Sequence, residues 1–277
     1  MVAFHLFGWP IYRYGIGYAI TFIVGYWRLG WVASTQVMTK YTHLKRFLEQ
    51  HRDDLFLAIV LWVIVGWRVG EIFLYAPSYY RTHPEALAAV RQWGMSFVGG
   101  IIGVIIALIL VMWRYKLSRR DMRVLWDIVV CIVPLGSLLW RISNMLNQEL
   151  YGLPIDRLPV RRAEVLTKLH LTYVYTQIDE QLRVNTNIIQ SILEWALIRI
   201  VLLVLFQKYR RKGRWAEGKL GAVFLMLYGI MRFGAEFFKD LPVNEQLGVI
   251  SISQVLSIIL IGVGGYVFRT FGKNERH

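Results

Sequence analysis

Reactive side chains are scarce in this sequence. Its 277 residues contain one cysteine, Cys131, which lies within an apolar run; this excludes an internal disulfide and argues against a low-pKa nucleophile. The six histidines all fall in tails or loops outside the long apolar stretches. No metal-ligand cluster is visible, and no phosphate-binding glycine loop opens a helix. We therefore expect neither a metal nor another cofactor.

Acidic residues are also few. There are 18 Asp and Glu against 32 Lys and Arg, a formal net charge of +14, while 56% of the residues are hydrophobic and the mean hydropathy is +0.44. Such a composition in a chain of this length indicates an integral membrane protein. The basic residues occupy short segments between apolar runs, a pattern explained by membrane orientation and anionic lipid rather than by nucleic acid. We expect no nucleic-acid partner.

The apolar runs predict an all-α membrane protein with seven transmembrane helices in a single domain, residues 1–277. Each run is about 17–25 residues long, enough to cross a hydrocarbon core. Residues 1–10 carry no Lys or Arg before the first run, which argues against a cleaved signal peptide. The predicted spans are Tyr12–Val32, Leu55–Tyr75, Met95–Trp113, Val124–Trp140, Ile188–Phe206, Leu220–Ala235 and Gly248–Phe268.

The loops predict the orientation, because Lys and Arg near spans favour the cytoplasmic side. The first, third and fifth loops and the C-terminal tail are rich in Lys and Arg, whereas the second and sixth loops are not. We therefore expect the N-terminus outside and the C-terminus in the cytoplasm. Alternation then places the long fourth loop, residues 152–187, outside as a small extramembrane lobe.

Polar residues concentrate in the outer half of the predicted bundle. Four arginines lie there: Arg13, Arg68, Arg141 and Arg232. An arginine inside a span costs about 2.5–3.5 kcal/mol on insertion scales, so it marks a candidate functional site. The structural alternative is that these arginines extend to the interface or pair with Glu71, Glu149 and Glu236. The inner half is plainer, with Arg199 as the main exception.

Helical spacing groups these residues into two polar faces. Tyr228, Arg232 and Glu236 recur every four residues, and Arg141 shares a face with Asn144. Guanidinium groups match phosphate oxygens, and amides and phenols bind hydroxyl groups. An anionic phospholipid head group fits this chemistry at this depth. A head-group transferase, a lipid-binding scaffold and an ion or proton pathway all remain open, although the inner half shows no continuous polar track for the last.

The third span begins with closely spaced glycines. Gly99 and Gly103 have the small-xxx-small spacing that lets two helices approach closely, and Gly100 adds a third small residue. We expect helix packing here, with backbone approach to a lipid as the alternative.

Several motifs together resemble a known family. The segment from Trp140 to Gly152 resembles the Gly-Arg-x-Gly-Asn-Phe-x-Asn-x-Glu-x-x-Gly signature of bacterial prolipoprotein diacylglyceryl transferases. Further blocks follow in family order over almost the whole chain: Arg13–Tyr18 (Tyr-Gly), Gly66–Gly70 (Gly-Gly-Arg-x-Gly), Gly94–Gly100 (Gly-Met-Ser-Phe-His-Gly-Gly), Tyr228–Phe238 (Tyr-x-x-x-Arg-x-x-x-Glu-Phe-Phe) and Ser251–Gln254 (Ser-Met-Gly-Gln).

The resemblance implies a function. Members of the family move the diacylglyceryl group of phosphatidylglycerol onto the thiol of a lipobox cysteine in a lipoprotein precursor and release glycerol phosphate. It also implies a bacterial inner-membrane, multi-pass protein with phosphatidylglycerol and prolipoproteins as partners, and we expect a monomer.

The resemblance also assigns roles to individual residues. Arg141 and Arg232 would hold the phosphate and stabilise the leaving group. Glu149 and Glu236, which we class with them as catalytic, would orient the arginines and the glycerol. The remaining expected substrate-binding residues are Tyr14, Arg68, Asn144, Asn147, Gly152 and Tyr228.

The sequence also departs from the family pattern. Val98 stands where the third-span motif has a histidine, a leading candidate for the base that activates the thiol. Val184–Gln190 replaces His-Pro-Ser/Thr-Gln-Leu-Tyr-Glu, Ser143 replaces a glycine, and Glu71 stands where tyrosine is frequent. The phosphate-holding residues are kept, whereas the proton-transfer residues differ. An active enzyme would then deprotonate the thiol with Glu71, Glu149, Glu236 or Tyr228. The alternative function is a non-catalytic homologue that binds phosphatidylglycerol or precursors as a partner or regulator.

Overall fold

The computed structural model describes residues 2–6, 9–88, 96–213, 215–240, 246–247 and 250–273. The predicted starts of the third and seventh spans, Met95 and Gly248, lie outside these residues, as does Gly94 of the glycine-rich motif. Helices dominate the described residues, and the strands are short.

The elements follow one another along the chain as twelve α-helices and three two-stranded antiparallel hairpins within the described residues. The strands are β1 (Val2–Leu6), β2 (Trp9–Tyr12), β3 (Thr172–Val174), β4 (Leu182–Val184), β5 (Gln246–Leu247) and β6 (Ile250–Ser251). The helices are α1 (Arg13–Ala33), α2 (Thr42–Gln50), α3 (Arg52–Gly70), α4 (Pro77–Thr82), α5 (Phe97–Arg114), α6 (Arg119–Val130), α7 (Val133–Leu146), α8 (Val160–Lys168), α9 (Thr186–Gln190), α10 (Ile198–Arg211), α11 (Lys219–Ala235) and α12 (Ile252–Lys273).

Two spans contain a π-helical stretch. Glu71–Tyr75 continues α3, and Ser191–Leu197 joins α9 to α10. A π-helical stretch rotates the side chains that follow it relative to a regular α-helix, and such stretches are frequent at functional sites. Both carry a glutamate in a largely apolar helix, Glu71 and Glu194.

Six helical segments in the described part of the chain are long and apolar enough to cross a membrane, which confirms the predicted helical membrane fold. They are Arg52–Tyr75, Phe97–Arg114, Arg119–Leu146, Thr186–Arg211, Lys219–Phe238 and Ile252–Phe271. Helix α1, with 21 residues, has the length of a span but is less apolar than these six because it contains tyrosines, glycines and Arg28.

The glycine spacing of the third span does pack two helices together, as predicted. A Cβ added at Gly99 would lie 2.1 Å from the carbonyl oxygen of Gly66, and one at Gly103 would lie 2.0 Å from that of Trp62. The backbones of α3 and α5 therefore touch along this seam, which brings the Gly66–Gly70 motif against the start of α5.

The fourth span is broken in its middle. Helix α6 ends at Val130, α7 begins at Val133, and Pro134 near the start of α7 lacks the N–H that would continue the helical ladder. The guanidinium of Arg199 donates to the carbonyl oxygen of Cys131 at 3.4 Å, so it satisfies a carbonyl at this break. Arg199, the charged exception in the inner half, thus has a structural partner.

The predicted lobe, residues 152–187, contains α8 and the β3–β4 hairpin. Arg183 is buried at its base and donates to the carbonyl oxygen of Gly152 at 3.1 Å and to the carboxylates of Asp240, at 2.8 Å, and Asp179, at 2.6 Å. The hydrogen bond from Arg183 lowers the pKa of Asp179 below its usual value. Arg183 therefore ties the lobe to the segment that follows α11.

Candidate active site

The site begins with a buried ion pair between two spans. Arg141, on α7, donates from Nε and Nη2 to the carboxylate of Glu194 at 3.4 and 3.3 Å. The hydroxyl of Ser137, one turn earlier on α7, also donates to Glu194. Arg141 is 5% exposed and Glu194 is 2% exposed, so the pair is shielded from solvent. These bonds use two of the five N–H groups of the guanidinium.

The second ion cluster lies at the end of α11. The Nε of Arg232 is 3.9 Å from Oε2 of Glu236, and the amine of Lys239 is 2.9 Å from the same oxygen. Two serines at the junction of β6 and α12 complete it: Ser253 accepts from Arg232 at 3.3 Å, and Ser251 donates to the other oxygen of Glu236 at 3.3 Å. Glu236 thus holds two cations in a fixed arrangement.

The two ion clusters share one electrostatic neighbourhood. The phenol of Tyr228 interacts with the charges of Arg141, Arg232 and Glu194, and the amine of Lys239 interacts with both arginines. Tyr228 is 3% exposed, and its ring stacks on Phe97 at the start of α5, with 4.5 Å between centroids. The structure therefore brings the two predicted arginine faces together.

A polar rim continues from Arg141 toward the end of α7. The hydroxyl of Tyr14, on α1, is within hydrogen-bond reach of the amide oxygen of Asn144 and of the carboxylate of Glu149. Arg13 donates to the amide oxygen of Asn147 at 3.2 Å. Helix α1 thereby places a phenol and a guanidinium over the signature segment.

Buried amides with unsatisfied polar atoms line the same region. Asn187 and Gln190, on α9, are 1% and 0% exposed, and α9 packs against α7, which carries the equally buried Asn144 and is followed by the buried Asn147. The unsatisfied atoms are Nδ2 of Asn144, Nδ2 of Asn147, Oδ1 of Asn187 and both side-chain polar atoms of Gln190. Buried polar groups are normally hydrogen-bonded, and each exception needs an explanation. Together these amides offer donors and acceptors to an uncharged polar ligand.

Two of the expected substrate-binding residues make tethering contacts. Arg68 donates to the hydroxyl of Tyr80 at 3.0 Å and to the carbonyl oxygens of Ala86 and Leu87, so it holds the segment that follows α4. Gly152 allows a close backbone crossing, because a Cβ there would lie 2.5 Å from the carbonyl oxygen of Val184.

Val98, which stands at the position of the family histidine, packs against the hydrophobic core as a half-buried side chain near the start of α5. Its isopropyl group can fill space there but cannot accept a proton. The region around Phe97 and Tyr228 therefore offers an apolar and aromatic wall.

Sequence reasoning did not select four residues that the structure places in this site: Asn187, Gln190, Glu194 and Lys239. Glu194 and Gln190 belong to a predicted span, and a carboxylate in an apolar stretch was the available signal for Glu194. The prediction of orientation used Lys239 only as a basic residue of the sixth loop. The short 3₁₀ turn Glu236–Phe238 carries it back against Glu236, which spacing alone does not reveal.

The chain is similar to known proteins over nearly its whole length. The family model described as prolipoprotein diacylglyceryl transferase matches residues 1–270. Similar proteins named phosphatidylglycerol–prolipoprotein diacylglyceryl transferase occur in several bacteria. The one from Chromobacterium violaceum is 33% identical over 99% of this chain and 96% of its own length. Those from Aromatoleum aromaticum and Wolbachia pipientis are 32% and 31% identical, over 95% and 93% of this chain and 92% and 89% of their own lengths. The chain therefore belongs to the prolipoprotein diacylglyceryl transferase family.

Proposed function

We propose that this protein transfers the diacylglyceryl group of phosphatidylglycerol to the thiol of the lipobox cysteine in lipoprotein precursors. The observation that carries the proposal is the meeting of the Arg141–Glu194 pair with the Arg232–Glu236–Lys239 cluster in one buried region. Family membership over nearly the full length supports it independently.

The charges of the site suit the chemistry of the leaving group. Two guanidinium groups, Arg141 and Arg232, lie in this cluster, and the amine of Lys239 adds a third positive charge when it is protonated. The phosphodiester of phosphatidylglycerol gains one negative charge when its carbon–oxygen bond breaks. Fixed positive groups in a water-poor site stabilise such developing charge without reorganisation. Arg141 and Arg232 are the groups we assign to the phosphate.

The buried amides suit the glycerol head group. Each glycerol hydroxyl both donates and accepts a hydrogen bond, and Asn144, Asn187 and Gln190 supply unsatisfied donors and acceptors within the same region. We therefore assign these amides to recognition of the glycerol.

The reaction is a substitution at carbon. The sulfur of the precursor cysteine forms a bond to the glyceryl carbon that carries the phosphate, and the carbon–oxygen bond to phosphate breaks. The electron pair leaves with glycerol phosphate, which the arginines hold, and the product is a thioether. The thiol proton must pass to a base.

The finer membrane arrangement is part of the same proposal. Helix α1 joins the six long apolar segments as a seventh span, with the N-terminus outside and the C-terminus in the cytoplasm of a bacterial inner membrane. This places the two arginines and residues 152–187 at the outer face, where exported precursors arrive. As part of the same proposal, the protein acts as a monomer.

A reconstituted transfer assay tests the proposal. The purified protein is placed in nanodiscs containing phosphatidylglycerol and incubated with a lipobox peptide that has one cysteine. Mass spectrometry should show the peptide gaining a diacylglyceryl group in step with release of glycerol phosphate. A peptide with serine in place of cysteine should gain nothing.

A matched pair of variants makes this assay specific. Arg141→Lys removes the planar guanidinium, whereas Arg211→Lys makes the same change at an exposed position at the end of α10. Turnover should fall in Arg141→Lys and stay unchanged in Arg211→Lys. If the parent protein binds phosphatidylglycerol yet forms no thioether where the Chromobacterium relative does, the non-catalytic alternative replaces this proposal.

A further inference from the structure

The amine of Lys239 lies next to the phosphate-binding groups but is not part of the family motifs discussed above. It is 6% exposed and is held 2.9 Å from Oε2 of Glu236, the same oxygen that Arg232 approaches. We propose that Lys239 is the general base that takes the proton from the precursor thiol, an inference that rests on the proposed transferase function.

The backbone around Lys239 places it where the precursor must approach. Lys239 immediately follows the last residue of its span, Phe238, and pairs as an isolated antiparallel bridge with Gly152. The N–H of Leu153 donates to the carbonyl oxygen of Phe238 at 2.9 Å. The amine therefore lies at the junction between the arginine site and the start of the 152–187 segment, and a thiol that reached the lipid from that side would pass it.

Four other candidate bases have partners in the structure. Glu194 is paired with Arg141 and Glu236 with Arg232, so protonation of either carboxylate would leave an arginine without its carboxylate partner. Glu149 interacts with the hydroxyl of Tyr14, and the ring of Tyr228 is stacked between Phe97 and Phe224.

The electrostatic surroundings prepare Lys239 to accept a proton. Burial, followed by the positive charge of Arg232, lowers the pKa of Lys239 to about 7, and Arg141 acts in the same direction. Glu236 opposes this shift and stabilises the ammonium once it forms. A lysine with a pKa near 7 is partly neutral at neutral pH and is well matched to general-base catalysis.

The proton and charge balance is complete without another reactant. The thiol loses its proton to the neutral amine of Lys239, and the resulting thiolate attacks the glyceryl carbon. Lys239 becomes a cation as the phosphate gains its second negative charge, so the net charge of site and substrates is unchanged. Glu236 holds the ammonium beside Arg232 during this step.

The test uses a substitution that keeps the charge and removes the basicity. Arginine does not deprotonate in proteins, so Lys239→Arg can hold a phosphate but cannot take a proton. We expect this variant to lose about 10²- to 10⁴-fold in kcat at pH 7, the range of general-base catalysis, with KM for phosphatidylglycerol within about threefold of the parent. Lys168→Arg, the same change at an exposed residue of α8, should leave both parameters unchanged.

The pH profile separates a base from a residue that only holds phosphate. Parent activity should rise with pH through about 7, because the neutral amine is the active form. In Lys239→Arg the rate should keep rising toward about pH 8.5, where the peptide thiol ionises by itself, so the defect should shrink. If Lys239→Arg is as active as the parent, the inference about Lys239 is wrong but the transferase function stands. The same holds if the loss of activity is equally large at every pH and lipid binding is weaker. Absence of turnover in the parent overturns the transferase function and this inference together.

Discussion

The carboxylate of Glu194 accepts hydrogen bonds from Nε and Nη2 of Arg141, at 3.4 and 3.3 Å, across 53 residues of sequence. This pair fixes the guanidinium along a defined direction, with Ser137 as a further support for the carboxylate. Because both charges are buried, the loss of either partner would strongly destabilise the folded protein. Glu194 is therefore the residue through which the signature arginine is positioned.

Glu194→Gln tests this positioning. Glutamine keeps the volume of the side chain but removes the charge that holds Arg141, so we expect transfer activity to fall more than about tenfold. Breaking one side of a buried ion pair costs about 3–5 kcal/mol, and the remaining amide should reduce that cost, so the thermal midpoint should decrease measurably. Glu164→Gln, at an exposed residue of α8, is the control. Unchanged activity and midpoint in Glu194→Gln would show that Arg141 is held by other contacts.

Gln190→Leu should change stability and substrate recognition in opposite directions. Gln190 is fully buried and both of its side-chain polar atoms lack a protein partner. Leucine of similar size removes these unsatisfied groups, which cost about 1–3 kcal/mol, so we expect a higher thermal midpoint. Loss of the amide should also raise KM for phosphatidylglycerol. The thermal midpoint is measured in nanodiscs without phosphatidylglycerol, and KM is measured in nanodiscs that contain it.

Two other outcomes of the Gln190→Leu experiment would contradict the prediction. A lower thermal midpoint in Gln190→Leu would mean that the amide already has a stabilising partner in the folded protein. Unchanged KM would remove Gln190 from the head-group site. Ile192→Leu, on the exposed face of the same span, changes side-chain shape without removing a polar group and serves as the control.

Spacing within one helix was enough to predict part of the site. Tyr228, Arg232 and Glu236 lie four residues apart, and the structure shows Arg232 and Glu236 in one ion cluster. The direction of helical side chains depends only on local geometry, so such stripes can be read from sequence. The glycine seam between α3 and α5 was predictable for the same reason.

Contacts between helices were not predictable from spacing. The pairing of Arg141 with Glu194 depends on which spans are neighbours, and the π-helical stretch Ser191–Leu197 alters the face that Glu194 occupies. Lys239 reaches the site only because the chain turns at Glu236–Phe238. Arg68 has a guanidinium suited to phosphate, yet it binds Tyr80 and two carbonyl oxygens of a neighbouring segment.

Gly99→Ala should separate α3 from α5. The added Cβ would lie 2.1 Å from the carbonyl oxygen of Gly66, and neither backbone can yield without moving a whole helix. Overpacking of this kind costs about 1–3 kcal/mol, so we expect a lower thermal midpoint and reduced activity, since Phe97 and Ser96 move with α5. Gly265→Ala, on α12, is the matched control, because nothing lies within 4 Å of its added Cβ. Equal midpoints in the two variants would show that the seam tolerates separation.

The anchoring of the 152–187 segment should depend on pH through Asp179. The hydrogen bond from Arg183 lowers the pKa of this carboxyl group, so its stabilising contribution is present above the ordinary Asp pKa of about 3.9 and is lost as pH falls below it. Hydrogen exchange of β3 and β4, corrected for the intrinsic exchange rate, should therefore show less protection below about pH 4.

Asp179→Asn should produce that weaker protection already at pH 7. We expect a decrease of about two- to fivefold, because Asp179 is partly exposed to solvent and Arg183 keeps a second carboxylate partner in Asp240. The remaining pH dependence should be flatter than in the parent, and Asp240 should keep Arg183 in place at 2.8 Å. Asp156→Asn, at an exposed position of the same segment, should leave protection unchanged. If β3 and β4 are as protected from hydrogen exchange in Asp179→Asn as in the parent at pH 7, Asp240 alone anchors Arg183. The acid sensitivity of the segment must then come from the Asp240 carboxylate.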